Sequence, residues 1–307
     1  MGNTPEVQNI KINEEKTMLA TFKNGTVKEL KNYVERLLSF VGGTQPFAFS
    51  EQGCVCVTME SSGAMFFQFS FEADAFSDLK VDEDIVLWLD LKDLKDILAK
   101  AQTDDIVTIK ASSGDSRATL SIQSINSSRS RTYRLRLHSE TSDSIDYKHT
   151  QKLANVALTK EMNCELIFTR GGYKTILEDL HVGDESTRYI HIETLDDKKV
   201  NFSLLSGSES SVAADVKVRL KGNEVNEIES ISLNGLEKTI ASTYDLENLE
   251  HLTKLDLQNN VKLHYNHEGA VRVIFESEKS KFTFLMAPME NTAEQEEDEP
   301  EEPSNVE

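Results

Sequence analysis

Three kinds of side-chain grouping in this 307-residue chain have types and spacings that could do chemistry. The most numerous is carboxylate, with 53 Asp and Glu against 33 Lys and Arg and a net charge of −20. Paired carboxylates do general acid–base work when a His or Lys stands beside them. Here they are spread along turns and helix faces, and no His or Lys is placed by sequence as their base. The second grouping is soft metal ligands. Cys54 and Cys56 alternate along a strand and share a face, and His264 and His267 flank a hairpin turn, but neither pair has the further ligands a metal site needs. The cysteines read as small buried residues. With no GxGxxG and no P-loop, the expectation is a protein that is no enzyme, with no cofactor and no metal. The third grouping is basic: Lys92, Lys95 and Lys100 beside one helix stripe, and Arg129, Arg131, Arg134 and Arg136 in one alternating segment. Charge alone disfavours nucleic acid as a partner. Residues 290–307 hold nine acidic residues and no basic one, and the rest of the chain still carries −11.

The elements that position these groups follow from periodicity. From Trp88 to Gln102 a strand end becomes a short amphipathic helix. Leu91, Leu94, Ile97, Leu98 and Ala101 fall on one helical face, Asp90 is its N-cap, and the three lysines lie off the apolar stripe. Further upstream, residues 18–22 read as a strand, Asn24-Gly25 as a turn and 26–41 as a helix with Val27, Leu30, Val34, Leu37, Leu38 and Val41 on one side. Gly42-Gly43 ends it. Short strands follow at 47–49, 54–60, 64–71 and 85–89. After the 88–102 stretch come 106–111, a Ser113-Gly114-Asp115 turn, and 118–122. Residues 132–137 alternate Tyr133, Leu135 and Leu137 against arginines, a half-exposed strand whose solvent face is basic; arginine there also serves as edge protection. From 138 to 160 periodicity fails, which marks a functional loop or linker. It reads as an interdomain connector whose isolated Ile145, Tyr147, Leu153, Val156 and Leu158 touch down on the body.

The chain then starts over. Phe22-Lys23-Asn24-Gly25 returns 146 residues on as Phe168-Thr169-Arg170-Gly171, and Lys28 returns as Lys174. The second helix carries Tyr173, Ile176, Leu177 and Leu180 on one face, and strands follow at 189–193, 200–204, 212–220 and 229–233. At an offset of 155, Asp90-Leu91 and Leu94 return as Asp245-Leu246 and Leu249, and Gly114 as Gly269. So long a period excludes a solenoid. It predicts two β-rich α+β domains with two helices each. The divisions are an N-terminal arm or extra edge strand over 1–17, domains over 18–138 and 161–289, the connector 139–160, and an acidic, disordered tail 290–307, a solubilising segment. Three cysteines make no disulfide framework and suit a reducing, intracellular compartment. The polar N-terminus is no signal peptide, Glu6 stands where myristoylation needs Ser or Thr, and no apolar run would span a bilayer, so a soluble protein is expected.

In the order, spacing and duplication of these features the chain, over residues 18–288, is similar to DNA sliding clamps of the proliferating cell nuclear antigen (PCNA) family. The carriers are the strand–Gly–helix of 22–38, Val57-Thr-Met-Glu-Ser-Ser62 after Gly53, the helix from Asp90 to Ala101, Glu178-Asp-Leu-His-Val-Gly-Asp184, and Phe284-Leu-Met-Ala-Pro-Met289. The resemblance implies the DNA-clamp fold: a homotrimeric ring of two-domain subunits, helices lining the inside around duplex DNA and sheets outside. It implies a polymerase processivity factor that tethers DNA polymerase, the clamp loader and other proteins with clamp-binding peptide motifs. It also implies an intracellular setting, nuclear in a eukaryote and cytoplasmic in an archaeon or virus. The DNA-facing residues would be Lys28, Lys31, Arg36, Lys92, Lys95, Lys100, Arg170, Lys174, His181 and Lys254. The partner-motif pocket would involve Met59, Gly63, Ala64, Leu153, Val156, Leu158, Leu257, Leu285, Met286, Ala287 and Pro288. Asp93 and Asp96 share a face with the lysines, so weak, salt-sensitive DNA affinity is expected, as suits a ring that slides. The long connector, the tail and the less basic second half also fit a subunit of a heterotrimeric, checkpoint-type ring. The charge of −20 leaves open an acidic DNA mimic or scaffold.

Overall fold

The computed structural model describes residues 16–139, 147–181, 188–206, 214–220, 227–234, 239–255 and 260–289. The tail and most of the expected N-terminal arm lie outside them; Thr17 already belongs to the first strand. Among the described residues no helix is long and apolar enough to cross a membrane. The chain divides into two compact units. The first takes residues 1–59, 67–153 and 278–282, the second 60–66, 154–277 and 283–307.

In the first unit the elements are β1 (Thr17–Phe22), α1 (Thr26–Phe40), β2 (Thr44–Ser50), β3 (Gly53–Met59), β4 (Met65–Glu72), β5 (Phe76–Val81), β6 (Ile85–Asp90), α2 (Leu91–Leu98), β7 (Ile106–Ser112), β8 (Arg117–Gln123) and β9 (Ser130–Arg136). Five strands lie in the order β5-β1-β7-β8-β9, and four run side by side as β4-β3-β2-β6. Alternation decides which face is covered: Val107, Ile109, Ala111, Ala118, Leu120 and Ile122 are buried while their neighbours in sequence are not. β5 is buried only at its two ends, Phe76 and Val81, so no alternation announced it in the sequence. Gly53 sits at φ +135°, where an added Cβ would stand 2.0 Å from the Phe71 carbonyl oxygen, so only glycine fits that turn.

The second unit holds β10 (Cys164–Phe168), α4 (Gly172–Leu180), β11 (Arg188–Asp196), β12 (Lys199–Ser206), β13 (Asp215–Arg219), β14 (Ile228–Leu233), β15 (Ile240–Asp245), α5 (Leu246–Leu252), β16 (Val261–Tyr265), β17 (Val271–Glu276) and β18 (Ser280–Met286). Its strand orders are β14-β10-β16-β17-β18 and β13-β12-β11-β15. Position by position this is the plan of the first unit. Even an irregularity repeats: β1 shifts register against β5 between Thr21 and Phe22, and β10 shifts against β14 between Ile167 and Phe168, 146 residues on. A bulge at the end of a strand bends and twists it, so in both copies the chain turns the same way into its helix. The fold is α+β, built from a duplicated domain.

One expectation needs correction. The aperiodic connector contains a helix, α3 (Tyr147–Thr159). Its buried positions are Thr150 and Ala154, while Leu153 and Val156 are exposed. A helix whose buried positions are a threonine and an alanine cannot be found by searching for an apolar stripe.

Candidate nucleic-acid interface

In each unit the basic candidates sit on a pair of packed helices. In the first, Gly25 at φ +90° turns β1 into α1, and Val27, Leu30, Tyr33, Val34 and Leu37 face the core. Lys28, Lys31 and Arg36 remain half-buried on the other side. Lys31 Nζ donates to the Ala101 carbonyl at 2.9 Å, tying α1 to the chain that leaves α2. Burial lowers the Arg36 guanidinium below its ordinary range, and Glu35 opposes that shift. Asp90 caps α2, its Oδ1 accepting from the amides of Lys92 at 2.9 Å and Asp93 at 3.0 Å. Lys92 and Lys100 are exposed and Lys95 is half-buried. Lys100 Nζ stands 5.1 Å above the Tyr133 ring, a cation–π contact.

In the second unit Gly171, at φ +79°, does the work of Gly25. Arg170 is exposed before α4. Lys174 pairs with Glu178 at 3.4 Å, one turn along its own helix. His181 Nδ1 lies 3.0 Å from Glu250 Oε1, and the Tyr173 hydroxyl donates to the Leu249 carbonyl at 3.0 Å, so two polar links join α4 to α5. Asp245 caps α5 through the Asn248 amide, and Lys254 is exposed beyond the helix end. The helix sequences differ sharply in charge. α1 and α2 carry five Lys or Arg and four Asp or Glu; α4 and α5 carry Lys174 alone against Glu178, Asp179, Glu247 and Glu250.

The partner-pocket candidates separate into distinct groups. In the first unit Met59 closes β3 and lines a cavity of about 220 Å³ with Val41, Pro46, Trp88, Tyr147 and Thr150. Burial pushes the Tyr147 hydroxyl up to about 12. Sequence reasoning missed this cavity; the signal was Trp88, the chain's one tryptophan, half-buried between buried Leu87 and Leu89. Leu153 is exposed on α3. In the second unit the Ala287 amide donates to the Ala64 carbonyl at 2.9 Å, bringing the 63–64 turn against the end of the described chain. Leu285 and Met286 are buried core residues, while Ala287 is exposed and Pro288 half-buried. Val156 is 72% exposed. The Leu158 carbonyl accepts from Arg272 Nη1. Leu257 lies outside the described residues.

Duplicated units of this strand order, each with a helix pair whose second helix starts from an aspartate cap, define a protein of the DNA-clamp fold. Comparison with known proteins agrees. Residues 18–146 match the family described as "Proliferating cell nuclear antigen, N-terminal domain". "Proliferating cell nuclear antigen 2" of Drosophila melanogaster is 29% identical over 137 residues, 45% of this chain and half of that protein. "Proliferating cell nuclear antigen" of Chaetomium thermophilum is 25% identical over 261 residues, 84% of this chain and 93% of that protein. The crystal structure of the antigen from Entamoeba histolytica shares the fold with a TM-score of 0.70 at 19% identity, covering 89% of this chain and 98% of that one. Over residues 18–146 the chain is similar to the proliferating cell nuclear antigen family, and its fold is that of the sliding clamps.

Proposed function

We propose that this chain is a subunit of a homotrimeric ring that encircles duplex DNA, with the α1, α2, α4 and α5 faces toward the phosphates. There it holds DNA polymerase and other proteins with clamp-binding peptide motifs on the template, once a clamp loader has opened the ring. It acts inside the cell, in the nucleus of a eukaryote or the cytoplasm of an archaeon or virus, and catalyses nothing itself. The observation that carries this reading is the duplicated unit, with family likeness over 18–146 and with β9 in the first copy and β13 in the second among the strands at sheet ends. Such edges carry unpaired backbone groups that accept another chain's strand, and joining two different edges head to tail generates closed rings. The test is mass in solution together with retention on DNA. A trimer that stays on closed circular DNA and is released when that DNA is cut supports the ring; a chain equally retained on both ends the proposal. Lys92→Ala with Lys95→Ala should slow loading or processive synthesis and leave the fold intact. In the first unit, Met59→Ala should weaken binding of a peptide carrying an aromatic–aliphatic plug about tenfold, measured by calorimetry.

A second reading is a subunit of a heterotrimeric ring. β9 carries Arg131, Arg134 and Arg136, and β13 carries Lys217 and Arg219 against Asp215 alone. Pairing two net-basic edges puts like charges across the seam, which is destabilising. A chain that stays monomeric at every concentration, and trimerises only with other clamp chains, would establish this reading over the first.

A further inference from the structure

The basic surface of strongest local contrast in the first unit is not on its helices. β7, β8 and β9 together contain five Lys or Arg and no Asp or Glu, in a chain of net charge −20. Arg131 points to the covered side and lies 3.5 Å from the buried Asp105. The other four, Lys110, Arg117, Arg134 and Arg136, fall on the open side, and all are exposed. No ion pair engages them among the described residues.

The register brings these side chains together. Arg117 stands directly opposite Arg136. Lys110, Thr119 and Arg134 form one row across the three strands. The next row is Thr108, Ser121 and Thr132. With strands about 5 Å apart and alternate residues about 7 Å apart along a strand, the four cationic groups fall within roughly 10 Å of one another, among four hydroxyls. Like charges directly opposite one another cost stability unless something anionic lies between them.

We infer that this open face is a second anion-binding surface, distinct from the helix faces, and that its occupant is the phosphate backbone of a nucleic acid. Guanidinium, ammonium and hydroxyl groups are the side chains that contact phosphate. The face has no aromatic residue to stack a base, which makes its binding independent of sequence. It also lacks the buried aromatic or aliphatic anchors that carry most of the energy of a protein interface, so an acidic protein strand is the weaker match. In this arrangement DNA can lie along the outside of the sheet as well as beside the helices.

The experiment is fluorescence anisotropy of a labelled 30-base-pair linear duplex against the full chain between 50 and 200 mM salt. The triple variant Arg117→Ala, Arg134→Ala, Arg136→Ala should lose about tenfold in affinity at the low-salt end, and its salt slope should fall by about 2 to 3 as those phosphate contacts disappear. The corresponding triple lysine variant should regain most of the slope, which separates lost charge from a damaged fold. Unchanged duplex binding in the alanine variant overturns the inference and leaves the arginines as protection of an edge strand. It is also overturned if a peptide of residues 290–307 binds this face more tightly than the duplex does, because the occupant is then acidic protein. The ring is read separately, by its dependence on closed circular DNA.

Discussion

The two helix pairs have the same backbone plan and opposite surfaces. Leu91, Leu94 and Leu98 of α2 are buried as Leu246, Leu249 and Leu252 of α5 are buried, and both helices start from an aspartate cap. Outward, the first pair is close to neutral, with lysines spread along it, and the second is acidic, with Lys174 paired to Glu178 and His181 set beside Glu250. The inward positions are constrained by packing, where a lost methylene is felt. The outward ones answer only to what they meet. If both pairs face DNA, the first supplies most of the attraction and the second keeps the affinity low.

The largest test of this equivalence is in the cores. Leu94→Ala and Leu249→Ala should each cost about 2–5 kcal/mol in urea unfolding, and a large inequality between them would show that the two copies are packed differently. Next comes the first residue of the first helix in each copy. Thr26 fills that place in α1, its hydroxyl donating to the Lys23 carbonyl at 2.7 Å. At the matching Gly172 an added Cβ would stand 2.0 Å from the Glu227 carbonyl oxygen. Gly172→Thr should therefore destabilise by about 1–3 kcal/mol through overpacking, and Thr26→Gly by about 1 kcal/mol; equal losses would mean that the Glu227 strand simply gives way.

Alkaline pH probes the buried thiols. Burial pushes Cys164 up to about 11, and its hydrogen bonding with Thr194 and Tyr265 opposes this only in part. The unfolded chain releases that proton near pH 9 while the folded chain keeps it, so the stability is fully present below pH 9 and falls as the pH rises toward 11. Between pH 8.5 and 10.5 the denaturation midpoint should drop, and Cys164→Ala should remove about 1–2 kcal/mol of that drop. The smallest effect is at the caps: Asp90→Ala and Asp245→Ala should each cost about 1 kcal/mol, with Asp90 the costlier because it accepts from two amides and Asp245 from one.

Much of this plan was legible in the sequence because it is written in apolar spacing. α1, α2 and α4 fall where Leu, Val and Ile recur at helical intervals, and the offsets of 146 and 155 residues predicted both the second copy and the position of its aspartate cap. β5 was not legible because its two buried ends, Phe76 and Val81, enclose a half-exposed middle. α3 was hidden because its inward positions are a threonine and an alanine. The candidate basic residues could be named, but not what they do locally. That Lys31 would hold the Ala101 carbonyl, and that Lys100 would cover Tyr133, depends on elements brought together across 70 and 33 residues of chain. The cavity beside Met59 needed residues from four separate segments.

The position of β1 has a consequence for the birth of the molecule. Among the described strands it is the first to be synthesised, yet it lies between β5 and β7, with Thr17 opposite Ser112. At about 5–20 residues per second on the ribosome, its apolar Met18, Ala20 and Phe22 wait roughly 5–20 s for their second neighbour. β10 repeats the wait, Cys164 facing Tyr265 of β16. During that interval each is an open strand that any other nascent copy could capture, so the yield of correctly paired chains depends on how far apart growing copies are kept.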